Sequence, residues 1–246
     1  MQKQIMTHIV AGYPSMEKCE QLALEMAKSG VDFIEIQIPF SDPVADGPTI
    51  MQANQKALES GVKVADRFEL MQRLSGQINA GPKLLFMSYF NILFSYGVEK
   101  FCKKAKECGC YGLIVPDIPI DEEKYEGYLA ACKRHGLMPI QVIAPLTNDE
   151  RLKQISKKAR GFVYCVSRTG TTGQTNSLNP ELSAYLKRVR RYIDLPLAVG
   201  FGISSKQHVE AVWKEAEIAV MGSKVINMIN EGQSIEDLGR FLAGLR

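Results

Sequence analysis

Two patterns alternate along the chain. Short apolar runs of strand type recur as "MTHIVAG", "VDFIEIQIP", "PKLLFMSY", "YGLIVPD", "MPIQVIAP", "GFVYCVSR", "LPLAVGFG" and "EIAVMGS", eight in all. Longer segments of mixed charge separate them. In "SMEKCEQLALEMAKSG", Ser15 is placed to cap a helix, Cys19, Leu22, Ala23 and Met26 share one face, and Gly30 ends it. "DEEKYEGYLAACKRHG" has acids first, bases last and Gly136 at its end, an order that suits the helix dipole and predicts a second helix. Strands separated by helices imply parallel βαβ units. Eight units in 246 residues predict a closed (β/α)₈ TIM barrel, which typically needs about 250. An open, doubly wound sheet is the competing topology. The tail "SIEDLGRFLAGLR" predicts a last helix packing across the barrel. No Gly/Pro/Ser-rich linker divides the chain, so one domain over 1–246 is expected.

In such barrels the chemistry sits at the C-terminal ends of the strands. The second strand runs into a polar loop, "IEIQIPFSDPVADGPTI", residues 34–50. Side chains alternate along a strand. With Ile34, Ile36 and Ile38 toward the helices, Phe33, Glu35 and Gln37 face the barrel interior. A carboxylate in an apolar barrel suits a group that both gives and takes a proton; a structural Glu paired with an interior Lys or Arg is the plainer reading. Asp42 and Asp46 read either as turn formers or as acids held by proline rigidity. At the far end, "SRTGTTGQ" (167–174), "GFGIS" (200–204) and "MGSKV" (221–225) follow strands six, seven and eight. Glycine lets backbone N–H groups approach a phosphate, and a helix N-terminus favours anions. The residues alone therefore describe a barrel enzyme with a phosphorylated substrate and acid–base carboxylates.

Composition narrows the class without adding chemistry. Hydrophobic residues make up 46% and charged residues 23%, and the net charge of +3 argues for neither nucleic acid nor a membrane surface. No run approaches the roughly 18 apolar residues of a membrane helix. The start, "MQKQIMTHIVAGYP", lacks a signal-peptide layout, and a cytoplasmic location is expected. The six cysteines read as free thiols, Cys165 as a core residue, and no metal site stands out.

The stretch 34–50 resembles the signature of the tryptophan synthase α chain family. "VAGYPS", "FMSYFNILFSYGVEKF", "GLIVPDIPIDE", "IAPLTNDERL", "YCVSRTGTTG", "VGFGISS" and "VMGSKVI" follow in the family's order, so the resemblance spans nearly the whole chain. It implies a (β/α)₈ barrel that cleaves indole-3-glycerol phosphate to indole and glyceraldehyde 3-phosphate by a retro-aldol reaction. It also implies an α₂β₂ complex, with indole passing to a β chain that carries pyridoxal phosphate, while the α chain needs no cofactor.

By the same resemblance, Glu35 matches the Glu that moves protons at indole C3 and the glycerol hydroxyl. Asp46 matches the Asp that bonds the indole N–H, and Tyr164 matches a tyrosine near the catalytic Glu. Gly173, Gly202, Gly222 and Ser223 match phosphate-binding positions, and Phe201 a wall of the substrate site. Tyr89, Leu113 and Ile143 match indole-pocket positions. Pro39, Asp42, Pro43 and Asn91 match partner-facing positions. Thr172 matches a lid residue that bonds the catalytic Asp.

Three residues depart from the family pattern within the pocket. Gln37 stands where Gly is common, and is expected to crowd the pocket or bond Glu35. His8 stands where Phe is common, and Pro116 where a small residue lines the indole site. The helix usual before strand one is expected to be missing or reduced. These departures motivate a second reading, an α-like chain that binds and activates a β chain but turns over poorly. A related phosphate-binding barrel with another substrate is a third.

Overall fold

A computed structural model describes residues 2–78, 80–166, 180–200 and 202–246. Eight parallel strands close into a barrel in chain order. They are β1 (Gln4–Val10), β2 (Phe33–Gln37), β3 (Lys83–Met87), β4 (Gly112–Ile114), β5 (Met138–Ile143), β6 (Val163–Val166), β7 (Leu197–Gly200) and β8 (Ile218–Met221). Every apolar run named above overlaps one of them, β1 starting two residues ahead of its run.

The helices are α1 (Met16–Lys28), α2 (Pro48–Glu59), α3 (Val64–Gln77), α4 (Phe90–Tyr96), α5 (Val98–Glu107), α6 (Glu123–Glu126), α7 (Tyr128–His135), α8 (Asp149–Lys158), α9 (Pro180–Arg190), α10 (Lys206–Val212), α11 (Ser223–Asn230) and α12 (Ile235–Ala243). Ser15 caps α1 by accepting the Lys18 N–H, as its position predicts.

Two of the expected helices turn out differently. "DEEKYEGYLAACKRHG" breaks at Gly127, whose φ of +63° lies in the left-handed region that ends a helix. Glu123 then turns its carboxylate onto the open N-terminus of α7, accepting the Leu129 N–H at 2.6 Å and the Ala130 N–H at 2.9 Å. The tail helix α12 packs on α1 rather than across the barrel. Its contact face is close: a Cβ at Gly239 would lie 2.2 Å from Glu25 Oε1.

Alternation sorts the strands into two layers. Ile34, Ile36 and Ile38 pack outward into the sheet–helix core, with Phe68, Phe86 and Phe101. Phe33 packs inward with Met6, Leu85, Ile140 and Phe162. The Phe33 and Phe162 rings meet at 5.3 Å, so the barrel interior holds packed side chains rather than an open channel. All six cysteines are buried and unpaired. Burial pushes the Cys19, Cys110 and Cys165 thiols up to about 12, which keeps them protonated and inert.

Candidate active site

Strand register puts two ionisable groups side by side. His8 on β1 pairs in register with Glu35 on β2, and both side chains face inward. His8 is 5% exposed and Glu35 2%. His8 Nδ1 lies 3.3 Å from Glu35 Oε2. The distance is that of an ion pair, but the alignment falls short of a hydrogen bond, and among the described residues neither Glu35 Oε2 nor His8 Nε2 has an aligned partner. Burial by itself favours the neutral imidazole. The charge and closeness of Glu35, with a smaller contribution from Asp46, outweigh it and raise the His8 pKa above the usual 6.5.

Asp46 reaches the same space from the loop between β2 and α2. Its Oδ2 accepts Gln37 Nε2 at 2.6 Å and Asn54 Nδ2 at 3.3 Å. Asn54, buried on α2, also donates Nδ2 to the Ile50 carbonyl at 3.0 Å and accepts the Phe40 N–H on Oδ1 at 3.3 Å. Tyr89 holds the loop from the other side. Its hydroxyl accepts the Ala45 N–H at 3.0 Å, and its ring stacks on Phe40 at 5.1 Å. Burial raises the Asp46 pKa above its usual 3.8, against the Gln37 bond and the charge of His8, which hold it down. Asp46 therefore loses its charge at a higher pH than an exposed Asp does.

Glu35, Asp46 and His8 open onto a cavity of about 360 Å³, a size suited to a small organic ligand. Ile114, Pro116 and Val142 give it an apolar wall, and Tyr164 lines it from β6. Burial, with the charges of Glu35 and Asp46, raises the Tyr164 pKa well above 10, so the hydroxyl stays protonated at neutral pH.

Gly200, Gly202, Gly222 and Ser223 also line the cavity, and Gly222 lies against His8. Gly202 has a φ of +84°, open to glycine at little cost. Gly222 precedes α11 with no side-chain cap, and a helix N-terminus of this kind favours an anion. Among the described residues, no Lys or Arg lines the cavity, so anion binding there falls to backbone N–H groups.

The family model described as "Tryptophan synthase alpha chain" matches residues 1–241. The chain belongs to the tryptophan synthase α chain family. A tryptophan synthase α chain of Desulfotalea psychrophila is 44% identical over 242 residues, covering 98% of this chain and 93% of that one. Its counterpart from Syntrophotalea carbinolica is 41% identical, covering 98% and 94%. Among solved structures, Mycobacterium tuberculosis tryptophan synthase superposes with a TM-score of 0.89 at 30% identity, covering 99% of this chain and 91% of that one. The tryptophan synthase α subunit of Legionella pneumophila gives 0.88 at 30%, with the same coverage. The (β/α)₈ barrel is thus the fold of the family, and the chain is a lyase subunit of tryptophan biosynthesis.

Of the positions singled out by resemblance to the tryptophan synthase α chains, Glu35, Asp46, Tyr164, His8, Pro116, Gly202, Gly222 and Ser223 meet at one cavity. Thr172, Gly173 and Phe201 lie outside the described residues.

Several expectations need correction. Leu113 and Ile143 do not line the pocket; both pack outward into the sheet–helix core. Their strand neighbours Ile114 and Val142 line it instead. The reason is register. Gln37 pairs with Met87 and Met87 with Ile114, so Ile114 shares the inward face. Tyr89 anchors the β2–α2 loop rather than forming a wall of the cavity. Gln37 bonds Asp46, not Glu35. Among the described residues, Glu35 is paired with His8 and not with a Lys or Arg. Pro39 and Pro43 are buried within the chain and offer no surface to a partner, whereas Asp42 and Asn91 are exposed.

Asn54 escaped the sequence reading. A signal was present: it shares a helical face with Ile50 and Ala57, where a polar residue needs partners. Asn54→Ala leaves the Phe40 N–H and the Ile50 carbonyl without their side-chain partner. A loss of about 1–3 kcal/mol in urea unfolding is expected. A fall of about tenfold in kcat/KM for indole formation should accompany it as the Asp46 loop loosens.

Proposed function

We propose that Glu35 and Asp46 carry the retro-aldol cleavage of indole-3-glycerol phosphate to indole and glyceraldehyde 3-phosphate, the α reaction of L-tryptophan biosynthesis. The carbon–carbon bond breaks once indole C3 is protonated, which places positive charge on the ring nitrogen. Glu35, buried at the inner end of the cavity, supplies that proton and then accepts the one on the glycerol hydroxyl. Asp46 accepts the ring N–H and stabilises its charge through Oδ1, since Gln37 and Asn54 both occupy Oδ2. Tyr164 packs the ring beside Glu35, with Ile114, Pro116 and Val142 as the apolar wall. Gly202, Gly222 and Ser223 receive the phosphate. The observation that carries this reading is the convergence of two carboxylates and an uncapped helix N-terminus on one cavity.

The barrel acts as one domain in the cytoplasm, as part of an α₂β₂ complex with a pyridoxal-phosphate β chain. The rim supports that partnership. Val44, Phe94, Tyr125 and Leu146 are large apolar residues that stand exposed after β2, β3, β4 and β5, beside Asp42 and Asn91. Leu146→Asp is expected to weaken β-chain binding by about tenfold or more, measured by calorimetric titration, with the isolated chain's fold intact.

A weakly catalytic chain that activates a β partner is the second reading. It is favoured by the engagement of both carboxylates, Glu35 by His8 and Asp46 by Gln37. Steady-state indole formation with and without a β chain separates the two. Indole release that rises on adding the β chain supports the lyase; β-chain activation with no indole released selects the activator.

A further inference from the structure

The His8–Glu35 contact does more than fill the barrel. Both groups are removed from water and in register, with Nδ1 3.3 Å from Oε2. For such a pair, imidazolium with carboxylate and imidazole with carboxylic acid differ by one short proton transfer, and the pair titrates as a unit. We propose that His8 is the proton-holding partner of Glu35: the pair carries one exchangeable proton, kept on His8 Nδ1 at rest and passed through Glu35 Oε2 to indole C3 during cleavage. This rests on the reading of Glu35 as the proton carrier.

The protons balance over one turnover. The Nδ1–H bond breaks as Oε2–H forms, and Oε2–H breaks as C3–H forms. The Glu35 carboxylate next takes the glycerol hydroxyl proton. The O–H electron pair becomes the carbonyl π bond of glyceraldehyde 3-phosphate, and the carbon–carbon pair returns to the indole ring. The proton on Oε2 goes back to Nδ1, so the chain ends as it began.

The surroundings of His8 suit this role. From β2 and its loop it faces Glu35, Gln37 and Asp46, both carboxylates favouring a positive imidazole. From the β8–α11 side it meets Gly222, and Ile50 comes from α2; neither titrates. Across the cavity stands Tyr164, neutral at ordinary pH. Among the described lining residues His8 is the only group able to carry positive charge, so its proton has no competing cation nearby. Gln37 donates to Asp46 at 2.6 Å, a bond that favours the charged carboxylate against its burial. The two carboxylates thereby take different roles: Asp46 is held by neutral donors and Glu35 by a titratable one.

The test is the pH dependence of indole formation by the complex with a β chain, for the unaltered chain, His8→Phe and His8→Asn. Both variants are expected to lose about tenfold or more in kcat at neutral pH. KM should change by less than about threefold. The basic limb of kcat should move down by about one to three pH units, because His8 no longer holds the proton that the pair shares. Unshifted limbs in both variants, with only KM altered, would make His8 a wall of the pocket and overturn the proposal.

Direct titration of His8 by ¹⁵N-histidine NMR does not depend on activity. The His8 signal is identified by its absence in His8→Asn, and its midpoint should fall by about one unit or more in Glu35→Gln. An unchanged midpoint overturns the pairing. Failure of the underlying reading looks different: Glu35→Gln itself would retain activity, whatever the His8 variants do.

Discussion

Glu35→Gln is expected to lower kcat for indole formation by about 10²- to 10⁴-fold, the range for loss of a positioned acid–base group. The change is nearly isosteric. Gln fills the same buried space on β2, so packing with Leu85 and His8 across the strands is kept. What is lost is the ability to give a proton to C3 and take one from the hydroxyl. Binding of indole-propanol phosphate, a substrate mimic, should stay within about threefold, because the apolar wall and the phosphate rim are untouched. Retention of most of the activity by this variant would remove Glu35 from the chemistry.

Asp46→Asn should cost about 10²- to 10³-fold in kcat, the usual cost of losing one preorganised stabiliser of developing charge. An amide still accepts the ring N–H but cannot offset the positive charge that grows on the nitrogen. The substitution also turns a strong acceptor into a group that must orient correctly toward two donors, Gln37 Nε2 and Asn54 Nδ2. Some loop loosening is expected, with a rise in KM beside the fall in kcat. The control is Asn54→Ala, which loosens the same loop and keeps the charge. If the two variants lost equal activity, Asp46 would be acting through loop order alone. In the unaltered chain, burial raises the Asp46 pKa, so indole formation should decline on the acid side at a higher pH than an exposed Asp would impose.

The barrel was legible because its signals are local. Ser15 caps α1 where a cap is needed, and each apolar run overlaps one strand. The inward course of Glu35 followed from period-two alternation with Ile34 and Ile36, and the structure keeps that sorting. Where the reading of the pocket walls failed, the deciding interaction was pairing between strands. Leu113 and Pro116 are an odd number of residues apart, so regular alternation puts them on opposite faces; resemblance placed both in the pocket, and inter-strand register decided for Ile114. The break at Gly127 was in view as a glycine inside a helical pattern, but the energy that favours it comes from Glu123 capping the following helix.

The sequence by itself determined the eight strand–helix units, the inward carboxylate on the second strand, the Pro-stiffened Asp loop after it and the glycines that follow the last two strands. All of these depend on residue type and spacing within about 20 residues of chain, where side-chain periodicity is strict. Only the tertiary structure decided the partners: His8 for Glu35 across 27 residues, Gln37 and Asn54 for Asp46, and Tyr89 for the loop backbone. Strand order in the closed barrel brings β1 against β2, and loop folding brings Asp46 back over Gln37. A polar side chain buried by that closure bonds whatever group the fold sets beside it, and neither composition nor spacing names that group in advance.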